Sequence, residues 1–151
     1  MVIFLTAIGL FMWVFPGEYN TLDAGYANID PLFALAPWIF MFLAPAVTMR
    51  MFSEEQRTGT IELLLTKPVS EWQIIFSKYL AGIVLILFTL LPTLFYFYTV
   101  SDLGAPKWNV DTGAMWGSYI GLVFLSAAFT SIGLFASSIS SNQIISFILG
   151  V

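Results

Sequence analysis

The chain has 151 residues, of which 59% are apolar, 17% aromatic and only 9% charged, a balance that lies outside soluble domains, where about a quarter of residues carry charge. A formal charge of −4, with its few cations strung along one loop, speaks against nucleic-acid binding, which needs clustered Lys and Arg facing phosphates. Cysteine and histidine are absent, which removes disulfides, thiolate or imidazole metal sites, and Ser-His or Cys-His catalysis.

A helix needs about 20 apolar residues to cross roughly 30 Å of hydrocarbon. That ruler predicts an all-α, polytopic transmembrane bundle of about four spans plus a shortened fifth, in a single membrane domain over 1–151. The first span is Met1 to Phe15, ended by Pro16-Gly17, because proline lacks a ladder donor and glycine tolerates the turn. Glu18 to Asp30 reads as a polar surface connection. Leu32 to Met49 is the second span, with Pro37 near one end and Pro45 inside, where it should kink the helix. Ile74 to Val100 is the third, long enough to tilt, with Pro92 as a second kink. A turn-rich loop, Ser101 to Thr112, leads to a fourth span from Ala114 to about Ser137; Ser138 to Gln143 then turns the chain into Ile144 to Val151. The chain opens directly on an apolar run and closes on about half a span, with no basic leader or cleavage site. It therefore reads as a fragment truncated at both ends.

Four of the five basic residues, Arg50, Arg57, Lys67 and Lys78, fall in or just beyond the 50–73 loop, and Lys107 stands alone in another. The positive-inside rule makes the 50–78 loop cytoplasmic. Trp13, Trp38, Trp72, Trp108 and Trp116 all fall near predicted span ends, as an interfacial aromatic belt requires. Gly113, Gly117 and Gly121 share one face of the fourth span, a spacing that lets a neighbouring backbone approach; packing within this chain is the expected use. Gly133 and Ser137 repeat the spacing further along.

The 50–73 loop carries local punctuation. Ser53 and Gln56 have capping-box spacing, Glu54 and Glu55 suit a helix first turn, and Gly59 is placed to end that short helix in a left-handed conformation. A second short helix should start at Thr60, with Glu62 near its start, Ile61, Leu63, Leu64 and Leu65 as its body, and Pro68 beyond its end. Ser70 and Gln73 form another capping box, with Val69 and Ile74 as a hydrophobic staple. The expected element is a stiff knuckle of helix, break, helix, break and span. Its apolar body is too short to cross a bilayer and too long for a free loop, so a partner or the membrane interface should cover it.

No G-x-x-x-x-G-K-[ST] loop is present, so ATP is not expected to bind here. No ionisable residue falls deep inside a span, the usual mark of an ion-driven carrier. Ser126, Thr130 and Ser131 sit in the fourth span, where hydroxyls ordinarily bond a local carbonyl or a neighbouring helix. An intramembrane enzyme is disfavoured, because the acids lie in loops and Lys78 at a boundary. A non-transporting membrane scaffold fits the composition, but has no reason to keep a capped and broken knuckle.

The run Glu54-Glu55-Gln56-Arg57-Thr58-Gly59-Thr60-Ile61-Glu62-Leu63-Leu64-Leu65-Thr66-Lys67-Pro68-Val69-Ser70, followed by Lys78-Tyr79-Leu80-Ala81-Gly82, closely resembles the first cytoplasmic loop of type-two ABC exporter permeases. Within that group it looks most like the gliding-motility-associated permeases of Bacteroidota. The resemblance implies a six-span permease in the bacterial inner membrane, working with a separate ABC ATPase subunit and with a second permease copy or a paralogue. No cofactor or metal is implied. By the same resemblance Glu54, Glu55 and Arg57 are polar contacts to the ATPase, Gly59 and Thr60 shape the coupling element, and Glu62 is a further contact at its base. Lys78 is expected at the start of the third span, near lipid headgroups. Pro45 and Pro92 are candidate hinges for the spans the knuckle would move.

Overall fold

Helix accounts for 74% of the chain, and no strand occurs among the described residues, so the all-helical class is as expected. The structure, a computed structural model, describes residues 1–25, 27–66 and 68–151, with the backbone alone at Leu65. Lys67, counted above among the loop cations, and the Leu65 side chain, counted in the apolar body, lie outside the described residues. The described helices run in chain order α1 Val2–Trp13, α2 Asp30–Thr48, α3 Ser53–Thr58, α4 Thr60–Leu65, α5 Glu71–Leu90, α6 Thr93–Leu103, α7 Thr112–Ile139 and α8 Gln143–Gly150. Three stretches are long and apolar enough to cross a membrane, Asp30–Thr58, Glu71–Leu103 and Thr112–Ile139, and α1 is a shorter apolar helix. The chain divides into two compact units, one of Met1–Ile39 with Leu87–Phe124, the other of Phe40–Ile86 with Leu125–Val151.

In the first unit α1 buries Phe4, Ile8 and Met12, one stripe at a spacing of four. Gly9 leaves room for the Tyr96 ring, whose hydroxyl donates to the Leu5 carbonyl at 3.0 Å and so ties α6 to α1. Helix α1 ends before Pro16 as expected, with the Val14 and Phe15 amides both donating to Leu10. The 18–30 segment is more than a surface connection. Asn20 is buried, donates its side-chain amide to Phe15 and accepts from the Leu22 amide, and the Thr21 amide donates back to Met12. Asn28 caps α2 by accepting from the Asp30 amide at 2.8 Å, which starts the helix two residues before the apolar run does. Trp38 therefore falls near the middle of α2, 67% exposed, and not at a helix end as the aromatic-belt reading expected.

Proline acts differently at its two expected kinks. Helix α2 continues through Pro45, whose carbonyl accepts from the Met49 amide at 2.8 Å. At Pro92 the hydrogen-bond ladder is interrupted, as the expected kink requires: α5 stops at Leu90 and α6 begins at Thr93, with the backbone of Pro92 itself still helical at φ −65° and ψ −20°. Pro92 cannot donate to a helical carbonyl, and the ladder resumes only with the Leu94 and Phe95 amides donating to Leu91 and Pro92.

Helix packing in the second unit is organised by glycines other than the stripe singled out in the sequence. A Cβ at Gly133 would overlap the Thr48 hydroxyl, and one at Gly82 would lie 2.7 Å from the Thr130 methyl. These two glycines let α2, α5 and α7 close on one another around buried Thr48 and Thr130. A Cβ at Gly150 would stand 3.2 Å from Pro45, which brings α8 against the same place. By contrast Gly113, Gly117 and Gly121 are all exposed, and a Cβ at Gly117 or Gly121 would meet nothing within 4 Å. Among the described residues, then, nothing comes as close to Gly117 and Gly121 as Thr48 does to Gly133. Thr130 and Ser131 donate to the carbonyls of Ser126 and Ala127, the local use expected of hydroxyls in a membrane helix.

Candidate functional site

The 50–73 loop lies within the second unit and forms as a sequence of caps and breaks, with one exception at its start. The expected Ser53–Gln56 box does not close. Ser53 lies inside α3, behind Phe52 as N-cap, and no side chain of the loop caps the helix. Both residues are spent elsewhere: the Ser53 hydroxyl donates to the Met49 carbonyl, and the Gln56 amide donates to the Ser138 carbonyl at 2.8 Å. The missing acceptor comes from α7. Ser137, fully buried, accepts from the Phe52 amide at 3.0 Å and the Ser53 amide at 3.1 Å, and donates to the Met49 carbonyl at 3.1 Å. One hydroxyl 84 residues away thus satisfies two of the donors that a helix start leaves open.

Glu54 and Glu55 stand in the first turn of α3 and Arg57 in its last, both favourable to the helix dipole. Gly59 adopts φ 71°, ending α3 and preceding α4. Only glycine takes that left-handed conformation without a Cβ penalty. The Thr58 and Thr60 hydroxyls meet across the break at 3.0 Å. Glu62 occupies the first turn of α4. The second capping box closes as expected, the Ser70 amide donating to Gln73 Oε1 at 3.1 Å and the Gln73 amide to the Ser70 hydroxyl at 3.4 Å.

Lys78 sits two turns into α5, not at its start. Its ammonium donates to the Met51 carbonyl, pairs with Glu55 Oε1 at 2.6 Å and lies 4.8 Å from the centre of the Phe52 ring. Glu55 is therefore engaged inside the molecule, with its side chain 30% exposed. Glu54, Arg57, Gly59, Thr60 and Glu62 all face outward. The apolar body is only partly covered: Leu63 is 66% exposed, whereas Ile61 joins Phe52, Trp72, Phe76, Leu134 and Phe135 around a cavity of about 550 Å³. The roles of Ser137 and Ser138 were not foreseen; the only signal was the spacing of Gly133 and Ser137 on one face, which reads equally as plain packing.

Long apolar helices joined by a braced, outward-facing polar knuckle define a polytopic helical membrane protein. The chain belongs to a known family of such proteins: the model of the ABC-2 family transporter protein matches residues 5–149. No curated protein and no solved structure matches it. Membership makes the chain a membrane permease of an ABC transporter, a transmembrane subunit that is generally not itself catalytic and that partners an ABC ATPase subunit.

Proposed function

We propose that the chain is the permease subunit of a bacterial ABC exporter and that its 50–73 loop is the cytoplasmic element on which the ATPase rests. The observation that carries this reading is the way the knuckle is braced by α5 and α7. Two short helices, divided by a left-handed Gly59 and held at the start of α3 by Ser137, present Glu54, Arg57, Thr60 and Glu62 outward while Glu55 and Gln56 hold the loop from beneath. A solvated connection needs none of this; a surface that receives force needs all of it. Rims of mixed charge fix the register of a docking partner. In this reading the residues form one permease domain in the cell inner membrane, and a second permease copy or a paralogue completes the pathway. Pro45 and Pro92 serve as hinges. The resemblance of the loop to gliding-motility permeases supports a role for the exporter in that process.

Reversing the exposed charges tests the dock. Glu54→Lys or Arg57→Glu, made singly in the full-length permease, should lower co-purification of the ATPase at least about tenfold. Lys107→Glu, in the other loop and paired there with Asp102 at 2.7 Å, should leave it unchanged. Undiminished recovery of the ATPase with both loop variants would remove the contact role.

A further inference from the structure

The loop flanks α2 and α5 in sequence, so motion at the knuckle is expected to pass along those two helices. The hydrogen bonds lead elsewhere. Helix α3 has six residues, well below the roughly 12 to 15 that an isolated helix needs to persist in water. No side chain of its own caps its start. The first turn is held instead by Ser137, near the end of α7, which bonds the Phe52 amide, the Ser53 amide and the Met49 carbonyl. The adjacent Ser138 carbonyl accepts from Gln56, one turn further along α3. On the opposite flank Lys78 of α5 grips Met51 and Glu55.

We propose that Ser137 is a positioning residue that fastens α3 to α7, so that a push on the loop moves the end of α7 together with it. The coupling half of this statement rests on the docking role proposed above; the fastening half does not. Two features favour α7 as the receiver. Its bonds to the loop run to backbone amides and a carbonyl, which lack the freedom of long side chains, and Ser137 is fully buried, where hydrogen bonds are stronger than in water. Below this point α7 is packed on α2 through Gly133 and Thr48 with no gap between them, so a displacement of its end is not taken up by a void.

The experiment uses the full-length permease with its ATPase in lipid vesicles. Hydrogen exchange at residues 52–56 is compared between the wild type and Ser137→Ala. Exchange in the variant should rise roughly tenfold or more, the loss expected when two amide bonds lose their acceptor, and Ser137→Thr, which keeps the hydroxyl, should restore protection. A nitroxide attached at Ile139, which is 60% exposed, should change mobility when ATP and vanadate are added to the wild-type complex. In Ser137→Ala that change should vanish although the ATPase still co-purifies. Should Ser137→Ala not accumulate, Gln56→Ala removes only the bond to Ser138 and should show a smaller loss of the same two signals. Wild-type protection in these variants overturns the fastening; an unchanged nitroxide response in them overturns the transmission. An ATPase that fails to bind even the wild type sinks the docking reading alone, because the exchange comparison stands without it.

Discussion

Glycine shows how far one residue type depends on its surroundings. At Gly133 an added methyl would overlap the Thr48 side chain and lie near the Pro45 backbone, whereas at Gly117 it would enter open space. Gly133→Ala should therefore destabilise the folded permease by about 1 to 3 kcal/mol, the usual cost of overpacking. Gly117→Ala should be neutral, or stabilising by up to about 1 kcal/mol, because alanine is the better helix former. Unfolding curves in detergent for the two variants check the contrast, and equal midpoints would show that the close approach of α2 and α7 is not tight. The sequence placed both glycines on helix faces but held nothing to rank them, since a spacing of four states which residues share a face and not whether another helix arrives there. Lys78 was illegible in the same way: its position in the chain suggested a boundary, and only the fold shows Met51 and Glu55 meeting it.

At the scale of elements, the loop was the most legible part of the chain because its signals are local. Gly59, Glu62, and the Ser70 and Gln73 pair each act on backbone within a turn of themselves, and the conformations follow the residue types. The start of α3 was misread for the opposite reason. Ser53 has the right spacing for a box, but a better-placed acceptor from a distant helix displaced it, and proximity of that kind leaves no mark in sequence. Gly59 also sets the angle at which α3 and α4 meet. With no atom within 4 Å of an added Cβ, Gly59→Val should be strained by the left-handed backbone alone, at roughly 1 to 2 kcal/mol, which must be met by shifting α4. Membrane insertion should be retained while ATPase co-purification falls; asparagine, which tolerates this region better, should lose less. Equal recovery with glycine and valine would show the angle to be unimportant.

For the whole molecule, composition sufficed to identify an all-helical membrane chain, and the apolar ruler found the long helices to within a few residues. The interruption at Pro92, expected as a kink, divides that third span into α5 and α6. The proposed orientation can be read out directly. The 151 residues contain no cysteine, so a single one introduced at Arg57 or at Lys107 adds one thiol to this region. A membrane-impermeant maleimide applied to intact cells should label position 107 and spare position 57; the reverse pattern would invert the topology and remove the loop from the ATPase side. The serine closure of α3 also carries a consequence for biogenesis. A ribosome lays down Ser53 84 residues before the hydroxyl that completes its turn, so the start of α3 lacks that acceptor while α5, α6 and most of α7 are made. On the docking role proposed above, a finished grip for the ATPase is then expected only on chains whose synthesis has reached that serine.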